Sequence, residues 1–171
     1  MTGTVYSIGH GTASAEAFTR TLADAGVRTL ADIRSAPGSQ RNPQFGQHAL
    51  RDTLAAAGIE YVHLPGLGGR RAPRPDSPHG GLRVAAFRGY ADHMTSDEFQ
   101  AAYGRLGELA RAAPTAFMCA ETLWWKCHRR LLADRMIADR WSVVQLRVGG
   151  APEPHRLTDA ARVEQGRLSY D

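Results

Sequence analysis

The stretch Phe117 to Asp134, FMCAETLWWKCHRRLLAD, decides how the rest of the chain is read. It opens as the end of an apolar strand and runs on into a helix whose apolar and polar faces are marked by Leu131, Leu132, Arg135 and Met136. Between the two lie both cysteines of the protein, two of its three tryptophans, and the run Cys127-His128-Arg129-Arg130. A strand that turns into a helix through reactive residue types is where α/β proteins place ligands.

Working outward, the same strand-then-helix unit recurs. Val5 to Ile8 is a short apolar strand ending in Gly9-His10-Gly11. Ser14 caps a helix through Ala17, Phe18, Leu22 and Ala25, which Gly26 stops. Val27 to Ile33 is a second strand, ending in Asp32-Ile33-Arg34-Ser35. A Pro- and Gly-rich loop over Ala36 to Gly46 leads to a helix from Gln47 to Ala57, and Ile59 to Leu64 is a third strand. Pro65 to Gly81 is a long irregular loop, a length usually reserved for function or disorder. Arg83 to Met94 is partly helical, and Thr95 with Glu98 forms a capping box for the helix bearing Phe99, Tyr103, Leu106 and Leu109. Thr115 to Cys119 is the fourth strand, Trp124 to Ala138 the next helix, and Trp141 to Val148 the fifth strand. Residues 149–171 are polar and read as a docked C-terminal extension or short hairpin.

This alternation implies an α/β fold: a single-domain three-layer sandwich over residues 1–171, with a mainly parallel, Rossmann-like sheet of about five strands. No apolar run reaches membrane-spanning length, and the N-terminal MTGTVYSIGHG lacks the basic segment and apolar core of a signal peptide. The expectation is a cytoplasmic protein with no membrane partner, its two cysteines free thiols rather than a disulfide framework.

The net charge is only +4, and Lys126 is the sole lysine. A GC-rich coding sequence accounts for the preference for arginine but not for its placement. Arg70, Arg71, Arg74, Arg83 and Arg88 face one acid, Asp76, between Pro65 and Tyr90, so this segment carries as much excess charge as the whole chain. Guanidinium groups pair with phosphate or carboxylate, which suggests an anionic partner; a solvated loop is the bland alternative.

In a parallel sheet every loop leaving a strand's C-terminal end lies on one edge. Those loops carry His10; Arg34, Ser35, Ser39 and Arg41; the arginine segment; and Glu121 to Arg130. The opposite loops, such as Ala25-Gly26 and Ala57-Gly58, hold nothing comparable, and the expectation is one crevice on the first edge. Cys119 at a strand end and Cys127 near a helix start are candidate nucleophiles, although buried apolar packing is the simpler account of Cys119. Asp32 is a base or the partner of Arg34. Glu121 and Arg129 contact a ligand or tie the helix to its neighbours, and Trp124 and Trp125 pack on the sheet edge or lid the pocket. No metal site is expected, because no CxxC, HExxH or HxxxH pair occurs and adjacent Cys127 and His128 point about 100° apart on a helix. No cofactor is expected either: Gly9-His10-Gly11 and Leu67-Gly68-Gly69 match neither the dinucleotide fingerprint nor the Walker pattern, although such glycines allow close approach to an anion.

Five ordered motifs carry a family resemblance: SIGHGT at 7–12, DIRSAPGSQRNPQF at 32–45, HLPGLGG at 63–69, RGYADHM at 88–94 and MCAETLWWKCHRRLLAD at 118–134. Together they resemble the bacterial family catalogued as domain of unknown function 488. The resemblance implies a cytosolic α/β protein and no settled reaction. It also implies that Gly9, His10, Asp32, Arg34, Pro65, Gly68, Arg88, Tyr90, Cys119, Glu121, Cys127, His128 and Arg129 matter.

Three functions compete. In the first, an enzyme or binding protein holds an anionic small molecule or nucleotide with Arg34, Arg88 and Arg129, beside Gly9, Ser35, Gly68 and Tyr90, and Cys127, His128, Glu121, Asp32, Cys119 and His10 supply the chemistry. In the second, the arginine loop binds nucleic acid while Trp124 or Tyr90 stacks on a base, a reading weakened by the modest net charge. The third is thiol chemistry, because a DxR strand end with a cysteine-bearing loop resembles rhodanese-like domains; against it, the position that would close a Cys-x5-Arg loop from Cys119 is Trp125.

Overall fold

A computed structural model describes residues 2–38 and 40–171, which leaves Ser39 outside the described residues. The chain runs β1 (Gly3–Gly9), α1 (Ala15–Asp24), β2 (Thr29–Asp32), α2 (Gln47–Ala56), β3 (Glu60–His63), α3 (Ala85–His93), α4 (Asp97–Ala112), β4 (Thr115–Cys119), α5 (Arg129–Ala138) and β5 (Trp141–Gln145). The strand β6 (Glu153–Pro154) and a hairpin of β7 (Ala161–Glu164) and β8 (Arg167–Tyr170) follow. The sheet order is β3-β2-β4-β1-β5-β6, parallel except for β6, which pairs antiparallel with β5. The α/β sandwich read from the sequence is the fold observed.

Period-two alternation distributes the strand side chains between two cores. Ala116 and Met118 of β4 join Ile8, Leu30, Phe18, Leu22, Leu50 and Leu54 beneath α1 and α2. Phe117 and Cys119 point the other way, into the core shared with α3, α4 and α5 through Phe99, Leu106, Leu131, Leu132 and Met136. Each fully buried side chain of the Leu or Phe class adds roughly 1.5–3 kcal/mol, so both faces are firmly held.

Local signals set the helix ends. Ser14 Oγ accepts from the Ala17 amide, and Gly26 and Gly58, both at positive φ, turn the chain away after α1 and α2. The second and fifth strands are shorter than the sequence reading, and two further boundaries differ in kind. The α4 cap is Ser96, whose Oγ accepts from Phe99 N; Thr95 instead donates to the Asp92 carbonyl. Trp124 to Ala138 is not one helix. Trp124–Lys126 is a single 3₁₀ turn, Cys127 is extended (φ −124°, ψ 150°), and α5 begins only at Arg129. That break re-aims the Cys127 side chain, so the 100° helical separation from His128 does not apply.

Among the described residues, no helix is long and apolar enough to cross a membrane.

Candidate functional site

The alternation that builds the cores also builds a polar cluster. Cys119, Ser7 and Gln145 occupy the C-terminal ends of three adjacent strands, in register as Gly9↔Cys119 and Ser7↔Gln145. The parity that sends Phe117, Val5 and Val143 toward α5 sends these three the same way. Arg129, the first residue of α5, lies among them with no exposed surface. Its Nε donates to Cys119 Sγ at 2.9 Å, Nη1 to Ser7 Oγ at 2.9 Å and more weakly to Gln145 Oε1 at 3.4 Å. Nη2 donates to the carbonyls of Glu121 at 2.6 Å and Thr122 at 3.4 Å. All three guanidinium nitrogens are engaged inside the protein.

Cys127 Sγ stands 2.8 Å from Cys119 Sγ and accepts from the Arg129 amide at 3.4 Å. Burial pushes the Cys119 thiol up, but hydrogen bonding from Cys127 and the adjacent guanidinium reverse this and bring it down to about 7. The hydrogen bond to Cys119, reinforced by burial, pushes Cys127 well above its ordinary value. The pair therefore gives up its first proton near neutral pH, and when it does the negative charge sits on Cys119 and the remaining hydrogen on Cys127.

His128 completes this side. Its Nδ1 lies 3.6 Å from Cys127 Sγ, and its ring packs 4.9 Å from Tyr90 and against Gly69, where a Cβ would come within 2.7 Å of Nδ1. Burial first, then the charges of Arg129 and Arg71, lower its pKa to about 4, and a nearby Leu67 carbonyl opposes this only partly. The imidazole is neutral near pH 7, and its buried Nε2 has no hydrogen-bond partner among the described residues.

A second cluster lies at the same edge but against the opposite face. Asp32 and Tyr61 share the parity of Leu30, beneath α1 and α2. The fully buried Asp32 accepts from Arg34 Nε at 2.9 Å, Arg34 Nη2 at 2.8 Å and the Tyr61 hydroxyl at 2.5 Å. Arg34 Nη1 then reaches His10 Nε2 at 3.3 Å, while His10 Nδ1 donates to the Gly11 carbonyl and the ring stacks on Phe45. Burial, more than the Arg34 charge, lowers the His10 pKa and keeps it neutral. Burial and then the Asp32 hydrogen bond raise the Tyr61 pKa above its usual range.

A family model matches residues 14–136 under the description Domain of unknown function DUF488. The chain belongs to that family. No curated protein and no solved structure matches it. The DUF488 match spans Asp32, Arg34, Cys119, Cys127, His128 and Arg129, whereas Ser7, His10, Gln145 and the C-terminal hairpin lie outside it.

The DUF488 chain thus divides its candidate residues between two clusters rather than one crevice. Gly9 lies where the β4 loop crosses β1: a Cβ there would overlap the Glu121 carbonyl. The Glu121 carboxylate is exposed and, among the described residues, accepts from Leu123 N, so its backbone rather than its side chain reaches the thiols. Gly68 packs on Ser35 and joins the β2 and β3 loops. Tyr90 is fully buried and donates to the Leu67 carbonyl, whereas Arg88 Nη1 donates to the carbonyls of Leu82 and Arg83. Sequence reasoning missed Ser7, Tyr61 and Gln145. The available signal was strand parity: a polar residue at a strand's end or two steps before it, on a face otherwise apolar. Two surface hollows, one near Arg28 and Pro114 and the other near Arg20 and Arg147, touch neither cluster.

Proposed function

We propose that this protein is a thiol-dependent oxidoreductase whose working unit is the Cys119–Cys127 pair. One observation carries the reading: two sulfurs 2.8 Å apart, one of them 2.9 Å from a buried guanidinium. Closing them to a disulfide needs an approach of less than 1 Å, to about 2.05 Å. A buried arginine aimed at a sulfur serves no packing purpose that a Leu would not serve better. Its effect is to hold negative charge on Cys119, the form that attacks.

The substrate class is a sulfur electrophile, a disulfide R–S–S–R′. The Cys119 thiolate attacks one sulfur, forming Cys119–S–S–R and expelling R′S⁻, which takes a proton from solvent. Cys127 then attacks Cys119 Sγ and releases RS⁻, with neutral His128 the nearest acceptor for the Cys127 proton. The products are two thiols and an intramolecular disulfide, two electrons having passed from protein to substrate. An external dithiol resets the pair by the reverse exchange. Cys119 and Cys127 are both buried, so the chain around them, including the Glu121 carbonyl against Cys119 Sγ, must shift to admit the substrate.

An anionic ligand remains a second reading, and a different set of arginines favours it. Arg34 and Arg129 are internally paired and Arg88 is held on two loop carbonyls, but Arg70 and Arg83 are exposed and form no ion pair with a described residue. Arg70 adjoins Gly69, which packs on His128, and has φ of +62°, a conformation uncommon outside glycine. It could select an anionic substituent on R.

The test is a trap. Reduced Cys127→Ser protein exposed to hydroxyethyl disulfide accumulates a stable mixed disulfide on Cys119, readable by mass, whereas Cys119→Ser does not at neutral pH. If neither variant traps the adduct, the oxidoreductase reading is wrong.

A further inference from the structure

The C-terminal segment reaches the thiols through a polar chain that enters none of the chemistry above. Asp134, on α5 with no exposed surface, accepts from His155 Nε2 at 2.9 Å, Thr158 N at 3.2 Å and the Tyr170 hydroxyl at 2.9 Å. Gln145 Nε2, which can only donate, lies 3.0 Å from His155 Nδ1, so Nδ1 accepts and the ring hydrogen stands on Nε2 toward Asp134. That contact sets the amide: Nε2 must donate to His155, so Oε1 must face the other way. Oε1 is the group 3.4 Å from Arg129 Nη1. Each link leaves the next one polarity, and the chain ends at Arg129 Nε on Cys119.

We infer that His155 is a positioning residue for Cys119, fixing the orientation of the Gln145 amide and thereby the seat of the Arg129 guanidinium against the thiolate. This rests on the thiol reading above. The planar guanidinium is located by its two terminal nitrogens. Ser7 and the carbonyls of Glu121 and Thr122 hold part of it; Gln145 Oε1 completes the hold on Nη1. An amide turned the other way presents N–H to N–H at that point and pushes the guanidinium off its site. The buried Asp134, with three partners, keeps His155 in the required tautomer as a metal-site carboxylate does for its histidine.

Two substitutions separate this role from simple filling of space. Glutamine at 155 keeps a donor where Nε2 stands, so Asp134 stays paired, but offers Gln145 no acceptor. Asparagine keeps an acceptor where Nδ1 stands and leaves Asp134 one donor short. The readout is the pH dependence of Cys119 alkylation by iodoacetamide. Trypsin cleavage after Lys126 puts Cys119 and Cys127 on different peptides, so mass spectrometry reads each separately. His155→Gln should raise the Cys119 midpoint by about one pH unit, while His155→Asn leaves it within a few tenths of wild type and lowers thermal stability instead. Gln145→Met supplies the same upward shift if His155→Gln does not fold. A wild-type midpoint near 7 with both His155→Gln and Gln145→Met unchanged would overturn the relay and leave the thiol reading standing. A wild-type midpoint at an ordinary thiol value overturns both.

Discussion

At the scale of single residues, the decisive contact is Arg129 Nε on Cys119 Sγ. Replacing Arg129 with Met removes the charge that offsets burial, so the Cys119 alkylation midpoint should climb from about 7 toward roughly 8.5 or above. The variant should also lose about 3–5 kcal/mol, because the partners of the guanidinium remain buried without donors. His128 gives a second expectation, with a definite sign. Its folded pKa of about 4 lies below the ordinary 6.5, so between those values the unfolded chain binds more protons and stability rises with pH. The denaturation midpoint should therefore fall as pH drops from about 6.5 to 4, and His128→Phe should flatten that slope, leaving the smaller contributions of His10 and His79, whose pKa values are also lowered. The sequence made Cys119, Cys127, His128 and Arg129 legible as reactive types close together. It could not reveal that Arg129 points inward, because an arginine at a helix start is most often exposed and only strand parity places three polar ends around it.

Elements fix which residues meet. The break before α5 leaves Cys127 extended, bringing its sulfur onto Cys119. The Trp-Trp-Lys-Cys run has no Pro or Gly to announce that break, so an uninterrupted helix was the natural reading of the sequence. The displaced α4 cap has a similar origin, since Thr95 and Ser96 are both capping residues and only the hydrogen bond to Phe99 N tells them apart. Ser96→Ala should accordingly cost about 1 kcal/mol and Thr95→Ala distinctly less, read from chemical denaturation. Gly9 ties β1 to the β4 loop. Gly9→Ala forces a Cβ into the Glu121 carbonyl and should cost roughly 1–3 kcal/mol or more, with the Cys119 midpoint displaced because the same carbonyl holds Arg129 Nη2.

For the whole molecule, the parallel sheet and its two helical layers follow from the repeated strand-helix unit, and five of the strands were readable because each is a short apolar run. The edge carrying the chemistry was equally readable; its division between two faces was not, because that depends on the parity of Asp32 against Cys119 across neighbouring strands. The C-terminal segment was read only as an extension, yet it supplies three donors to Asp134. Ending the chain after Gly150 should leave that carboxylate buried and unpaired, and lose several kcal/mol together with the low Cys119 midpoint. The most direct measurement bears on the sulfur pair itself. Fully reduced wild-type protein is given one equivalent of hydroxyethyl disulfide, then its intact mass and tryptic peptides are recorded. The account predicts a loss of two hydrogens and a cross-link joining the peptide of residues 112–126 to the one beginning at Cys127. Two unmodified thiols, or stable mixed disulfides on both cysteines, would contradict it.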